Sequence, residues 1–155
     1  MRPAEGFESP LNRQAAPRTG NMTDLKLIPH PMTGPGPVTD LTAGVITSRS
    51  GMLTVAYVLL GDMGRIRLPS AAEPARQDDL WRHTCFEAFV GGEGRPDYFE
   101  FNFAPSSEWA AYKFKAYREG GANAEGCAPP LISVSMHPRK LSVTAEFDID
   151  AAMKD

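Results

Sequence analysis

The sequence has little of several features that define common protein classes. It contains only two cysteines, Cys85 and Cys127, in 155 residues, too few for a disulfide-stabilised framework. No apolar run approaches the roughly 18–20 residues that a bilayer-spanning helix needs, and the N-terminus has no apolar segment typical of a secretory signal. We therefore expect no membrane partner and a cytoplasmic location, in which both thiols stay reduced.

A strong net charge and the common catalytic motifs are also absent. The 16 basic and 19 acidic residues give a formal net charge of −3 without a basic cluster, so we expect no nucleic-acid partner. There is no Gly-rich phosphate loop, no nucleophile elbow and no metal-type spacing among the histidines, His30, His83 and His137. We predict that the protein is not an enzyme and that it has no metal or resident cofactor.

The N-terminal segment differs in composition from the rest of the chain. Residues 1–21 are rich in Pro, Arg, Gly and Ala and show neither a helical nor a strand period, which predicts a disordered tail. One domain is then expected over residues 22–155. Its first part, "PHPMTGPGPVTD" at 29–40, carries four prolines and two glycines and predicts an irregular connection.

From residue 41 onward, short apolar segments alternate with turn residues at intervals of about 8–12 residues, and no long amphipathic helix appears. Two segments, "GRIRLP" and "EWAAYKFKAY", are predicted as further strands. Three hairpins are predicted: "AGVITSR" with "MLTVAYVLLG", "LWRHTCFEAFV" with "YFEFNF", and "LISVSMHP" with "KLSVTAEFDID". The pattern therefore predicts an all-β fold, a sandwich or barrel of antiparallel strands.

The string "LWRHTCFEAF" at 80–89 interrupts an apolar strand pattern with polar and reactive side chains. Alternation places Trp81, His83, Cys85, Glu87 and Phe89 on one face of this strand, with Leu80, Arg82, Thr84, Phe86, Ala88 and Val90 on the other. Because both faces are partly apolar, we predict a central strand that is covered on both sides.

The next strand, "YFEFNF", separates its residue types more clearly. Phe99, Phe101 and Phe103 are predicted core residues, and Tyr98, Glu100 and Asn102 share the opposite face. The hairpin brings Glu87 near these polar residues, so one carboxyl pKa should rise unless a cation intervenes. The candidate cations are Arg82, Lys113 and Arg118.

Three hypotheses account for this cluster. The first is a buried polar network that fixes the strand register. The second is a sugar-binding surface, with hydroxyls bound by the carboxylates, Asn102 and Arg118, and a flat ring supplied by one of four aromatic residues, Trp81, Trp109, Tyr112 and Tyr117. The third, which we favour least, is a glycosidase that uses Glu87 and Glu100 as its two carboxylates.

The strings "LWRHTCFEAFV" and "YFEFNFAPSSEWAAYKFKAYREG" resemble the bacterial DOMON-like proteins, which are related to the type 9 carbohydrate-binding modules and the DOMON superfamily. The resemblance covers most of residues 25–150. Its characteristic positions correspond here to Trp81, Arg82, Thr84, Cys85, Phe86, Glu87, Glu100, Asn102, Pro105, Ser106, Trp109, Tyr112, Tyr117 and Arg118.

The resemblance implies a jelly-roll-like β-sandwich, in agreement with the strand pattern. It also implies further strands after "KLSVTAEFDID", so that the domain would be truncated at its C-terminus, and a Ser where Ala104 stands. Members of the wider superfamily are taken to recognise sugars or haem, which is only a fold-level argument about function.

The leading hypothesis is a non-catalytic ligand-binding module whose ligand is a carbohydrate or glycan fragment. We predict that the ligand is bound by Trp81, Arg82, Glu87, Glu100, Asn102, Trp109, Tyr112 and Arg118. A haem-binding redox domain is one alternative, with axial ligands among His83, His137, Met52, Met63 and Met136. A structural or interaction module without a small ligand is the other.

Overall fold

The fold consists of two antiparallel sheets. A computed structural model describes residues 23–48 and 51–150, so the predicted tail at 1–21 and the predicted loss of C-terminal strands concern positions outside the described residues. The nine strands are β1 Thr23–Lys26, β2 Val38–Thr47, β3 Met52–Gly61, β4 Phe86–Gly91, β5 Tyr98–Phe103, β6 Trp109–Phe114, β7 Ala122–Asn123, β8 Leu131–His137 and β9 Lys140–Asp148. Two short 3₁₀ helices, Met63–Arg65 and Leu80–Arg82, lie in the connection between β3 and β4.

The strands form one five-stranded and one four-stranded sheet. The orders are β1-β2-β3-β9-β8 and β4-β5-β6-β7, and every pair of neighbours is antiparallel. The three predicted hairpins are present as β2–β3, β4–β5 and β8–β9. The prediction of an all-β antiparallel sandwich is therefore confirmed.

The core lies between the inner faces of the two sheets. Aromatic contacts join them: the ring of Phe147 lies 4.4 Å from that of Phe101 and 5.1 Å from that of Phe103. The Tyr57 ring lies 5.1 Å from Phe86, and its O–H donates to the Glu87 carbonyl oxygen at 2.9 Å. Burying one such side chain contributes about 1.5–3 kcal/mol, so these rings hold β3 over β4 and β9 over β5.

The predicted strand over residues 80–90 is wrong in its first half. Leu80–Arg82 is a 3₁₀ helix that follows Asp79 in the left-handed region, and the strand begins only at Phe86. Within β4 the predicted alternation holds, since Phe86 is buried whereas Glu87 and Phe89 are exposed. Among the described strands β4 is an edge strand with one solvent-facing side, so it is neither central nor covered on both sides.

Two other segments differ from the predictions. Residues 64–69, "GRIRLP", form no strand, because the chain turns into the 3₁₀ helix Met63–Arg65, whose first turn is capped by the Asp62 carboxylate accepting from the Gly64 N–H at 3.2 Å. The Gly-rich segment after β6 contains the short strand β7, which pairs with β6. The strand predicted in "EWAAYKFKAY" is confirmed as β6.

Candidate functional site

The outer face of the four-stranded sheet carries four aromatic residues and two carboxylates that lie outside the core. We define this outer face by the residues that alternate with the core residues of β4, β5 and β6. It consists of Glu87, Phe89, Tyr98, Glu100, Asn102, Ala110, Tyr112 and Phe114. Its two ends differ, because one is covered by the chain and the other is open.

The covered end is closed by the second 3₁₀ helix. Leu80 from this helix packs with Ala104 and Ala110 in a small apolar cluster, to which Cys85 and Tyr112 add partly buried atoms. Leu80 therefore fills the space that an uninterrupted strand would have left above β5 and β6. This packing explains why the chain leaves the extended conformation there.

Asn102 lies at the covered end with no exposed surface. Its amide nitrogen donates to Glu100 Oε1 at 2.8 Å, and its Oδ1 accepts a weak bond from the Cys85 thiol at 3.5 Å. Burial, followed by the charge of Glu87, raises the Cys85 pKa to about 12, so this sulfur stays a thiol. Both cysteines are free, as the sequence predicts. Asn102 thus fixes the direction of Glu100.

The open end carries a row of three rings, one from each of three adjacent strands. The Phe89 and Tyr98 ring centroids are 6.0 Å apart, and Tyr98 stacks on Phe114 at 4.9 Å with an interplanar angle of 8°. Phe89 is 60% exposed, although a Phe side chain is normally drawn into a core. We call these three residues the aromatic row.

Glu87 and Glu100 lie between the aromatic row and the covered end. Glu87 is paired with Asn102 and Phe89 with Glu100, so the two carboxylates are diagonal neighbours on adjacent strands. Partial burial raises the pKa of Glu87, and the nearby charge of Glu100 raises it further. The sequence-based expectation of a raised carboxyl pKa is confirmed.

None of the three expected cations neutralises this pair. The Nε atom of Arg82 lies 3.7 Å from Oδ1 of Asp79. Lys113 lies over the Phe99 ring on the inner side of the sheet. Arg118 lies over the ring of Tyr117. The ion pairs found within residues 23–48 and 51–150 include neither Glu87 nor Glu100. The negative charge at the centre of the outer face therefore has no internal counterion in the described part of the chain.

The rim of the outer face beside β6 holds a separate polar network. Tyr112 O–H donates to Asp78 Oδ1 at 2.8 Å, and the Arg76 guanidinium donates to that same Oδ1 at 3.0 Å and to Asn123 Oδ1 at 2.6 Å. The bonds from Arg76 and Tyr112 lower the Asp78 pKa, while burial and Asp78 raise the Tyr112 pKa to about 12. Since Arg76 is matched to Asp78, this network adds no free positive charge.

Four of the eight predicted ligand-binding residues, Glu87, Glu100, Asn102 and Tyr112, lie together on the outer face. Arg118 lies at its edge, where its backbone N–H donates to the Tyr98 hydroxyl at 3.3 Å. Trp81 and Arg82 lie instead in the second 3₁₀ helix, with the guanidinium 5.2 Å from the Trp81 ring centroid. Half of the predicted residues are therefore brought together on this face, and whether they bind a ligand remains a prediction.

Trp109 is the clearest correction among the predicted residues. It pairs with Phe103 and points into the core, where only 6% of its surface is exposed, so it presents no ring to a ligand. The three rings of the aromatic row, Phe89, Tyr98 and Phe114, were not proposed as ligand-binding. Their signal was present for Phe89 and Tyr98, which share faces with Glu87 and Glu100 in the alternation.

A second concave region lies beside the second 3₁₀ helix. This cleft of about 780 Å³ is bounded by residues 67–70, residues 77–80, Arg82, His83 and Glu108. Its charges have both signs, and its rim includes Asp79, which pairs with Arg82. The cleft shows no row of rings and no group that the chain leaves buried without a partner.

The candidate haem ligands lie on different elements, and the backbone N–H of Met63 donates to the carbonyl oxygen of Pro138, the residue after His137, at 3.1 Å. Met63 is a buried core residue, and Met136 and His137 are consecutive on β8, so their side chains point to opposite faces. Met52 and His137 lie at opposite ends of the five-stranded sheet, because Met52 begins β3 and His137 ends β8 beside Lys140. These positions add no support to the haem hypothesis.

Comparisons of the chain with protein-family models, with curated proteins and with solved structures gave no match. The resemblance to DOMON-like proteins therefore remains a hypothesis that rests on the sequence strings alone. No helix within residues 23–48 and 51–150 is long and apolar enough to span a membrane.

Proposed function

We propose that the protein is a non-catalytic carbohydrate-binding module and that the outer face of the four-stranded sheet is its binding surface. The observation that carries this proposal is the juxtaposition of the exposed Phe89 ring with the Glu87 and Glu100 carboxylates on one open sheet face. Sugar recognition uses this combination of groups, because a pyranose has both an apolar face and a rim of hydroxyls.

The aromatic row supplies the apolar part of the surface. Phe89 is 60% exposed, and Tyr98 and Phe114 form a stacked platform beside it. A sugar ring that lies on these rings removes their apolar area from water, at about 25 cal/mol per Å² buried. The contact of the exposed Phe89 ring with water is thus unfavourable in the free protein, and a bound sugar would cover this ring.

The carboxylates supply directional hydrogen-bond acceptors for the hydroxyl groups of the sugar. One oxygen of Glu100 accepts from Asn102, which leaves the other oxygen oriented and available to accept from a hydroxyl. Hydrogen bonds to an ionised acceptor are about twice as strong as neutral ones. Because Asn102 is itself fully buried and bonded, Glu100 is held in place before the ligand arrives.

The open geometry favours binding over hydrolysis. Both carboxylates lie on the surface of a sheet, and nothing described on the open end covers them, whereas hydrolytic sites gain much of their effect from excluding water. The glycosidase alternative also uses Glu87 and Glu100, so the same samples test it. Release of reducing ends from any bound oligosaccharide would contradict the non-catalytic part of the proposal.

Isothermal titration calorimetry with a panel of neutral, amino and acidic oligosaccharides tests the proposal. We expect at least one sugar to bind, and Phe89→Ala and Glu100→Gln each to weaken it at least about tenfold, or about 1.4 kcal/mol. The matched controls are Leu131→Ala, an exposed apolar residue on β8, and Glu125→Gln, an exposed carboxylate in a loop. A panel without binding to a cooperatively melting protein would overturn the proposal.

A further inference from the structure

The outer face has an electrostatic property that a neutral sugar does not use. Its two central carboxylates, Glu87 and Glu100, are diagonal neighbours on adjacent strands and have no cation partner in the described part of the chain. The nearby guanidiniums are committed elsewhere, Arg76 to Asp78 and Asn123, and Arg118 to the ring of Tyr117. Two carboxylates this close together, without a counterion between them, repel each other and disfavour the doubly ionised state.

We propose that the ligand of the outer face is a cationic amino sugar, whose ammonium group binds between Glu87 and Glu100 while its ring lies on the aromatic row. This inference rests on the proposed function and names its ligand class. The ammonium of such a sugar supplies the counterion that the chain lacks, and charge complementarity of this kind determines specificity more than total affinity.

The aromatic row favours an organic cation over a metal ion. Phe89 lies directly across the ladder from Glu100 on one side, and Tyr112 on the other. The faces of aromatic rings attract ammonium groups within about 6 Å. Calcium instead takes about six to eight oxygen ligands. No group of three or more metal-ligating side chains occurs within residues 23–48 and 51–150.

The charge requirement gives the binding a defined pH dependence. The groups around the pair are Cys85 and Tyr57, which remain neutral at neutral pH, and the matched Asp78, Arg76 and Tyr112 network at the rim. Glu87 must be ionised to pair with the ammonium. Binding therefore weakens as the pH falls through the raised pKa of Glu87, and weakens again at high pH when the amine loses its proton.

The test compares three tetrasaccharides that share a β-1,4 linkage and differ at one substituent: glucosamine, N-acetylglucosamine and glucose. Calorimetry at pH 6.5 and low salt should give at least about tenfold tighter binding of the glucosamine tetramer than of the other two. Glu87→Gln and Glu100→Gln should each remove most of that difference, whereas Glu125→Gln, which also removes one carboxylate, should preserve it. The melting curve of each variant verifies that it is folded.

Phe89→Ala distinguishes a specific site from general attraction to an acidic protein, because it leaves every charge in place. We expect this variant to weaken binding of the glucosamine tetramer at least about tenfold, and unchanged affinity would overturn the proposal. Equal binding of the three tetramers, or preference for a neutral one, would overturn the amino-sugar inference and leave carbohydrate binding intact. If none of the three tetramers binds but another sugar of the panel does, the amino-sugar inference is overturned and carbohydrate binding stands. If no sugar binds, both proposals are overturned.

Discussion

The outer faces of the two sheets differ in what they present to solvent, although both sheets use the same alternation to build the core. The five-stranded sheet presents a mixture of hydroxyl-bearing, charged and aliphatic residues, such as Ser142, Lys140 and Leu60, and none of its described outward residues is Phe, Tyr or Trp. The four-stranded sheet presents the aromatic row and two carboxylates.

The treatment of charge differs in the same way. On the five-stranded sheet, the carboxylate of Asp40 pairs with the ammonium of Lys26 at 3.2 Å. On the four-stranded sheet, Glu87 and Glu100 have no such partner in the described part of the chain. The packing of the core accounts for the inner faces of both sheets. The aromatic row and the carboxylates without a counterion are the reason that we propose the outer face of the four-stranded sheet as the binding surface.

The largest expected effect is a difference in stability between the loss of an aromatic residue that points into the core and the loss of one that faces solvent. Trp109→Ala should lower the free energy of unfolding by about 3–5 kcal/mol, because it empties a core position. Trp81→Ala, at 57% exposure, should change it by no more than about 0.5 kcal/mol. Urea denaturation of the two variants measures both values, and equal losses would show that Trp109 is not a core residue.

The second prediction concerns the only fully buried amide on the outer face. Asn102→Ala should lower the free energy of unfolding by about 1–3 kcal/mol, because Glu100 loses a hydrogen-bond donor and the Cys85 thiol loses an acceptor. It should also weaken sugar binding by releasing Glu100 from its fixed direction. Chemical denaturation and calorimetry on the same sample measure the two effects. A variant with unchanged affinity would contradict the orienting role given to Asn102.

These two predictions indicate how far the sequence alone determines the molecule. Alternation and turn residues were enough to predict β2, β5, β8 and β9, because each has one apolar face and a clear boundary. The strand β3 is apolar on both faces and was predicted as a continuous apolar run that begins after the turn at Ser50 and Gly51. The inward direction of Trp109 was not readable, since "EWAAYKF" has apolar residues on both faces and its phase is set only by pairing with β5.

The second 3₁₀ helix was missed for a related physical reason. Trp, Arg, His and Thr at 81–84 all suit a strand, and the decisive feature is the tertiary packing of Leu80 on Ala104 and Ala110. The two carboxylates of the candidate site were predicted to lie close together because alternation places like charges on the same face of neighbouring strands. The aromatic row was missed because the flat ring was expected from Trp81, Trp109, Tyr112 or Tyr117, and Phe89, Tyr98 and Phe114 were not considered for that role.

A smaller effect is expected from the uncompensated charge itself. The pKa of Glu87 is raised in the folded protein, so its contribution to stability is present at low pH and is lost as the pH rises through the folded pKa. Glu87→Gln should therefore match the wild type near pH 4 and exceed it at pH 7. The gain should be below about 1 kcal/mol, because solvent screens the exposed carboxylate. A variant that is less stable at pH 7 would contradict this account and favour a structural role for Glu87.

The smallest effect is expected on the other sheet. Lys26→Ala removes the partner of Asp40 in an exposed ion pair, and the free energy of unfolding should fall by about 0–1 kcal/mol. Sugar affinity should not change, since this pair lies on the opposite sheet. Thermal melting and calorimetry measure these quantities. A loss of sugar affinity in this variant would indicate that the ligand binds the five-stranded sheet and would contradict the proposed binding surface.

The most direct test of the central claim maps the ligand onto the two outer faces. Backbone amide shifts in ¹⁵N-labelled protein would be followed by NMR during titration with the glucosamine tetramer. The account predicts shifts concentrated at β4, β5 and β6, with the largest near Glu87, Phe89 and Glu100, and little change in β2, β3 and β9. Shifts concentrated on the five-stranded sheet would contradict it.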